Sequence, residues 1–112
     1  MRKLWFACML IILVILSGCN RPIKESQPVI TNAVDIVDFS YDPHSIAILK
    51  GTIVTWTQKD AAPHTVTIST GTGFDSGTLN QGQIFSWMFN EVGNFSYYCS
   101  IHPGMIGKVI VT

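Results

Sequence analysis

From residue 33 onward the apolar residues recur at every second position in short runs, and no window sustains a helical period. A period of two without one of 3.6 is the pattern of half-buried strands and excludes a helical bundle. "AVDIVDFSY" alternates and is followed by the turn "DPHS"; "SIAIL" is a second strand, ended at Lys50-Gly51. "TIVTWT" places Val54 and Trp56 on one face, and after the loop "QKDAAP" the stretch "HTVTI" places His64, Val66 and Ile68 together. The long loop "STGTGFDSGTLNQGQ" leads to "IFSWMF", where Phe85, Trp87 and Phe89 line up. Beyond the turn "NEVGN", "FSYYC" aligns Phe95, Tyr97 and Cys99, and "KVIVT" points Val109 and Val111 inward. Seven or eight such strands describe an all-β domain, either a sandwich or a Greek-key barrel. The sequence holds no internal repeat and no low-complexity segment.

The beginning of the chain is of another kind. "MRK" is a short basic start, "LWFACMLIILVIL" is a continuous apolar run too short for the roughly 20 residues of a bilayer-spanning helix, and "LSGC" follows. This reads as a signal peptide over residues 1–18. "LSGC" also resembles a bacterial lipobox, in which the chain is cut before the cysteine and that cysteine is lipidated. Cys19 is then the first residue of the mature protein, residues 19–32 are a polar tether, and the folded domain covers residues 33–112. Without Arg2 and Lys3, five basic residues face seven acidic ones. No basic patch remains, so nucleic-acid binding has no electrostatic basis. Of the three cysteines, Cys8 leaves with the signal and Cys19 is blocked by lipid, so Cys99 is alone. An exported domain with one unpaired thiol needs a reason for it.

The stretch "YYCSIHPGM", residues 97–105, supplies one. His64 opens one strand and Cys99 ends another, both where a sheet meets a loop. Taken singly, the first reads as a buried histidine and the second as a small hydrophobe. His102 follows Cys99 by three residues and Met105 follows His102 by three, so one tight loop offers thiolate, imidazole and thioether. With His64 they make the donor set of a blue-copper site, three ligands in a plane and a weak axial methionine. Cu(I) favours sulfur and Cu(II) favours imidazole, so a mixed site need move little when the metal changes charge. Pro103 and Gly104 suit the tight turn that brings Met105 back. Met88 reads as packing and His44 as a solvated turn residue.

"VTWTQKDAAPHTVT" followed by "YYCSIHPGM" resembles the plastocyanin and azurin family of cupredoxins, and the Cys-x-x-His-x-x-Met loop is closest to amicyanin. The resemblance covers about residues 33–112 and implies a two-sheet Greek-key β-sandwich. It implies copper, one per chain, cycling between Cu(I) and Cu(II), with His64, Cys99, His102 and Met105 as ligands. The chain has Gln58 where amicyanin-like sequences carry Asn, Thr65 where many relatives have Asn directly after the first histidine, and Ile101 where amicyanin has Pro. The Thr65 N–H should point at the Cys99 sulfur, as in the family. Ile101, unlike proline, has an N–H, so Cys99 should accept two hydrogen bonds, as in azurin, rather than one.

The resulting expectation is a monomeric, lipid-anchored type 1 copper protein that carries single electrons outside the cytoplasmic membrane of a bacterium. His102 should be the electron's door. Pro63, Ile101, Pro103, Gly104 and Ile106 would form an apolar docking patch for redox partners. The alternative is a copper-storing or copper-delivering protein with the same ligands. A copper enzyme would need a further metal centre or an acid and base, for which His44 is the only spare histidine. A zinc site would gain little from the axial thioether.

Overall fold

The computed structural model describes residues 27–112. The expected signal peptide, Cys19 and the first part of the tether lie outside them. Nine strands are present among the described residues: β1 Val29–Ile30, β2 Ala33–Val37, β3 Ser40–Asp42, β4 Ser45–Ile48, β5 Ile53–Gln58, β6 Thr67–Ile68, β7 Ile84–Met88, β8 Gly93–Tyr98 and β9 Ile106–Val111. They form two sheets, one in the order β1-β4-β9-β8-β6 and the other β3-β2-β5-β7. Both sheets are mixed: β1–β4, β4–β9 and β2–β5 are parallel and the other pairs antiparallel. The all-β class is the one the sequence pattern implied, and the two-sheet architecture the one the resemblance implied.

The period of two is what builds the core. Val34 and Ile36 of β2, Ile46 and Ile48 of β4, Val54 and Trp56 of β5, and Val109 and Val111 of β9 alternate with outward-facing neighbours. Their inner faces meet in one cluster that also takes in Tyr97, Cys99 and Met105. Trp56 is its centre, with Phe74, Phe85 and Tyr97 at ring-centroid distances of 5.8, 5.7 and 5.4 Å.

Several elements differ from the sequence reading. The sheet begins at Val29, inside the span assigned to the tether, because the β-branched pair Val29-Ile30 adds a parallel strand to β4. "HTVTI" is a strand only at Thr67–Ile68. Pro63 brings no N–H, and the long loop folds back to take the backbone bonds a neighbouring strand would have taken. His64 and Leu79 exchange N–H to O bonds at 3.1 and 2.7 Å, and Ser76 pairs with Val66 through its own N–H and hydroxyl. That loop also sends Phe74 and Leu79 into the core. Phe89, just past the edge strand β7, is buried, but Trp87 on it is 39% exposed, since no further strand covers it. Met88, expected to pack, lies 47% exposed on the outer face.

Two local features position the site. Gln58, fully buried at the end of β5, accepts the Asp60 N–H at 2.6 Å and donates to the carbonyls of Ala62 and Leu79 at 2.7 and 3.2 Å. This shapes the loop before His64. The second is the two-residue turn between β2 and β3. Asp38 and Phe39 sit at φ 52° and 55°, a left-handed pair with no glycine, which costs on the order of 1–2 kcal/mol per residue.

Candidate metal centre

The end of the sandwich between β5, β8 and β9 collects the soft and imidazole donors. Cys99 directly follows β8 and is fully buried; its N–H donates to the Met105 carbonyl at 3.1 Å, closing the loop onto itself. Inside that loop the Met105 N–H donates to the His102 carbonyl at 2.9 Å. This turn, through Pro103 and Gly104, brings Met105 back into the buried cluster at the foot of β9. His64, from the loop shaped by Gln58, is fully buried opposite.

Cys99 Sγ stands 3.8 Å from His64 Nδ1 and 3.7 Å from His102 Nδ1, and the three donor atoms lie within 4.8 Å of one another. With a metal–sulfur bond of about 2.3 Å and a metal–nitrogen bond of about 2.0–2.1 Å, a sulfur and a nitrogen 120° apart around one ion stand roughly 3.7–3.8 Å from each other. The two sulfur–nitrogen spacings therefore fit donors that would share a single metal ion. Met105, the fourth expected residue, is buried on the same loop. His44, by contrast, is exposed in the bend just before β4 and does not join the cluster.

Around the donors is a second ring of contacts. Asp60 Oδ2 lies 2.8 Å from His64 Nε2, which leaves Nδ1 turned toward the sulfur. The same carboxylate accepts the N–H groups of Asp38 and Phe39 at 2.8 and 2.9 Å. Burial pushes the Asp60 carboxyl upward, but the Phe39 N–H, His64 and the Asp38 N–H outweigh it and hold the group below its ordinary value. The Thr65 N–H donates to Cys99 Sγ at 3.3 Å. The Thr65 hydroxyl meets the hydroxyls of Thr67 and Ser100 at 2.9 and 3.1 Å and accepts the Ser100 N–H at 2.8 Å, tying the His64 segment to the Cys99 loop. No N–H of Ile101 reaches the sulfur, so the expected second bond is absent and the thiol has one backbone donor among the described residues.

The comparison with known families decides what this centre is. The profile described as copper binding proteins, plastocyanin/azurin family, matches residues 28–112. The chain belongs to that family. Among its relatives, amicyanin-alpha of Methylorubrum extorquens is 32% identical over 99 residues, covering 85% of this chain and 82% of the relative. Amicyanin of Paracoccus versutus is 32% identical over 97 residues, 82% of this chain and 74% of the relative. A solved purple cupredoxin from Nitrosopumilus maritimus superposes with a TM-score of 0.70 at 33% identity, over 73% of this chain and all of that one. This cupredoxin accordingly takes copper, one ion per chain, and His64, Cys99 and His102, with Met105 near them, are possible ligands for it.

Sequence reasoning missed Asp60 and Phe39. Asp60 had a signal, since it precedes His64 by four residues in the loop "QKDAAPH". Phe39 had none: it comes from a distant turn and reads in the sequence as one more strand residue. It is 55% exposed, and its ring stands edge-on to those of His64 and His102, at 5.2 and 5.1 Å between centroids. His102, expected to be the open edge of the site, is half-buried beside it.

Proposed function

We propose that this cupredoxin is a type 1 copper electron carrier that works outside the cytoplasmic membrane, held there by lipid on Cys19, and is not an enzyme. The observation that carries the electron-transfer reading is the buried thiol with two imidazole nitrogens at 3.7 and 3.8 Å, a ready-made plane of three donors. Copper bound there would supply the one-electron change between Cu(I) and Cu(II). Cys99 would hold it through its thiolate, His64 and His102 through their imidazoles, and Met105 through a weak thioether contact. Because backbone and carboxylate bonds already hold the donors in place, little reorganisation accompanies the change of charge. His102 is the donor ring on the solvent side. Around it Pro63, Ile101, Pro103, Gly104 and Ile106 are all exposed, an apolar surface suited to brief docking of a redox protein.

Addition of Cu(II) to the purified protein should give an intense blue absorption that ascorbate bleaches. Cys99→Ser should abolish it, because the colour requires charge transfer from the thiolate. A colourless wild type, or a Cys99→Ser variant that stays blue, would sink the assignment. The anchoring reading rests on "LSGC" alone and is tested apart. Wild type should partition with membranes and Cys19→Ala should leave an unlipidated precursor; equal amounts of soluble, unmodified protein from both would remove the anchor.

A further inference from the structure

The turn between β2 and β3 is built against local preference. A two-residue hairpin turn with both central residues at positive φ favours Asp-Gly or Asn-Gly. Here the second position is Phe39 at φ 55°. A bulky residue in that conformation persists only where its surroundings hold it, and such outliers gather at functional sites. The hold is visible: Asp60 takes the N–H groups of both turn residues, one on each carboxylate oxygen. One of those oxygens also faces His64 Nε2. A single carboxylate thus fixes a histidine of the site and the turn that carries Phe39.

The ring placed by that turn touches both histidines. The centroids of Phe39, His64 and His102 stand 5.2, 5.1 and 5.0 Å apart, a closed triangle of rings with only Phe39 largely exposed. An aromatic side chain more than half exposed at a strained backbone position does little for the core. It does cover the histidine side of the donor cluster.

We propose that Phe39 is a cap over the two histidines, held shut by Asp60, that keeps small anions and water from the metal. The cap rests on the copper reading above, but its mechanics belong to the chain and can be read without metal. Phe39→Gly is the informative variant, since glycine prefers this φ and the Asp60 bonds to the turn can remain while the ring is gone.

Three measurements test it on the full chain. In the metal-free protein, Asp60→Ala should speed amide exchange at Asp38 and Phe39 by at least about tenfold, the loss of a charge-assisted bond, while the amides between β8 and β9 stay as they were. In the same protein Phe39→Gly should move the ring-proton resonances of both His64 and His102 and leave those of His44 in place. In the Cu(II) form, azide should bind Phe39→Gly and Asp60→Ala each about tenfold or more tightly than wild type. The double variant should gain nothing over Phe39→Gly, because Asp60 acts on access through the ring. A purely structural Phe39 would change thermal stability and leave azide affinity alone. Equal azide affinity in wild type and Phe39→Gly, additive effects in the double variant, or unchanged exchange at the turn would each overturn the cap. A wild type with no coloured Cu(II) form would overturn the copper reading instead, and the two metal-free measurements would then decide the cap.

Discussion

Cys99 receives one backbone N–H, from Thr65, and this sets the expected effect of substitutions beside the thiol. Ile101 is 42% exposed and its N–H makes no bond to the sulfur, so Ile101→Pro removes no donor. The reduction potential of that variant, measured by film voltammetry, should equal that of wild type. A fall on the order of tens of millivolts would mean that a second donor acts in the copper form. Met105 should behave differently. On the proposed ligand set, Met105→Leu keeps the buried volume but deletes a weak sulfur donor that favours Cu(II), so the potential should rise. A differential of about 1–2 kcal/mol corresponds to roughly 40–90 mV for a one-electron couple. Loss of copper from Met105→Leu would show that Met105 is a primary ligand. At this scale the sequence was most informative where chemistry is dense: Cys99, His102 and Met105 lie in seven consecutive positions. It was silent on Phe39 and on the missing Ile101 bond, because both depend on where a distant turn and an individual N–H come to point.

The strands show the same division one level up. Alternation in β2, β4, β5 and β9 is readable because each lies against the core on one face only. It fails at residues 64–68, where Thr65 is as buried as its neighbours: its N–H serves the thiol and its hydroxyl serves Ser100. It also fails in the loop after β6, whose Phe74 and Leu79 fill the core without any period. The pairing of β8 with β9 carries a constraint that neither strand shows alone. Gly107 lies opposite Tyr97, and a Cβ there would overlap the Tyr97 ring at Cζ, Cε2 and the hydroxyl oxygen. Tyr97 is fully buried against Trp56 and Tyr41 and cannot step aside. Gly107→Ala should therefore cost about 1–3 kcal/mol, the usual penalty of overpacking, read as a lower urea midpoint with an unchanged slope. An unchanged midpoint would show that the ring has room to move.

Across the whole sandwich, Tyr41 links what the two sheets carry. It belongs to β3 in the four-stranded sheet, its ring meets Tyr97 of the other sheet at 4.6 Å, and its hydroxyl donates to the Thr65 carbonyl at 2.5 Å. Burial, with smaller contributions from Cys99 and Tyr97, pushes its ionisation far above the ordinary phenol value of about 10. The sign of the consequence follows from proton counting. Above about pH 10 the unfolded chain gives up this proton and the folded chain keeps it, so the folded state binds more protons and stability falls as pH rises. Below that pH the contribution is fully present. Tyr41→Phe keeps the ring contact and loses the bond to Thr65, which should cost about 1–2 kcal/mol at pH 7. The variant has no such proton, however, so wild type should lose its advantage at roughly 1.4 kcal/mol per pH unit once past about pH 10. Urea midpoints of the metal-free proteins should converge near pH 11 and cross above it. A difference that stays constant from pH 7 to pH 11 would mean that the Tyr41 hydroxyl titrates alike in the folded and unfolded chains, and that the tie between the two sheets at the copper end is weaker than its geometry implies.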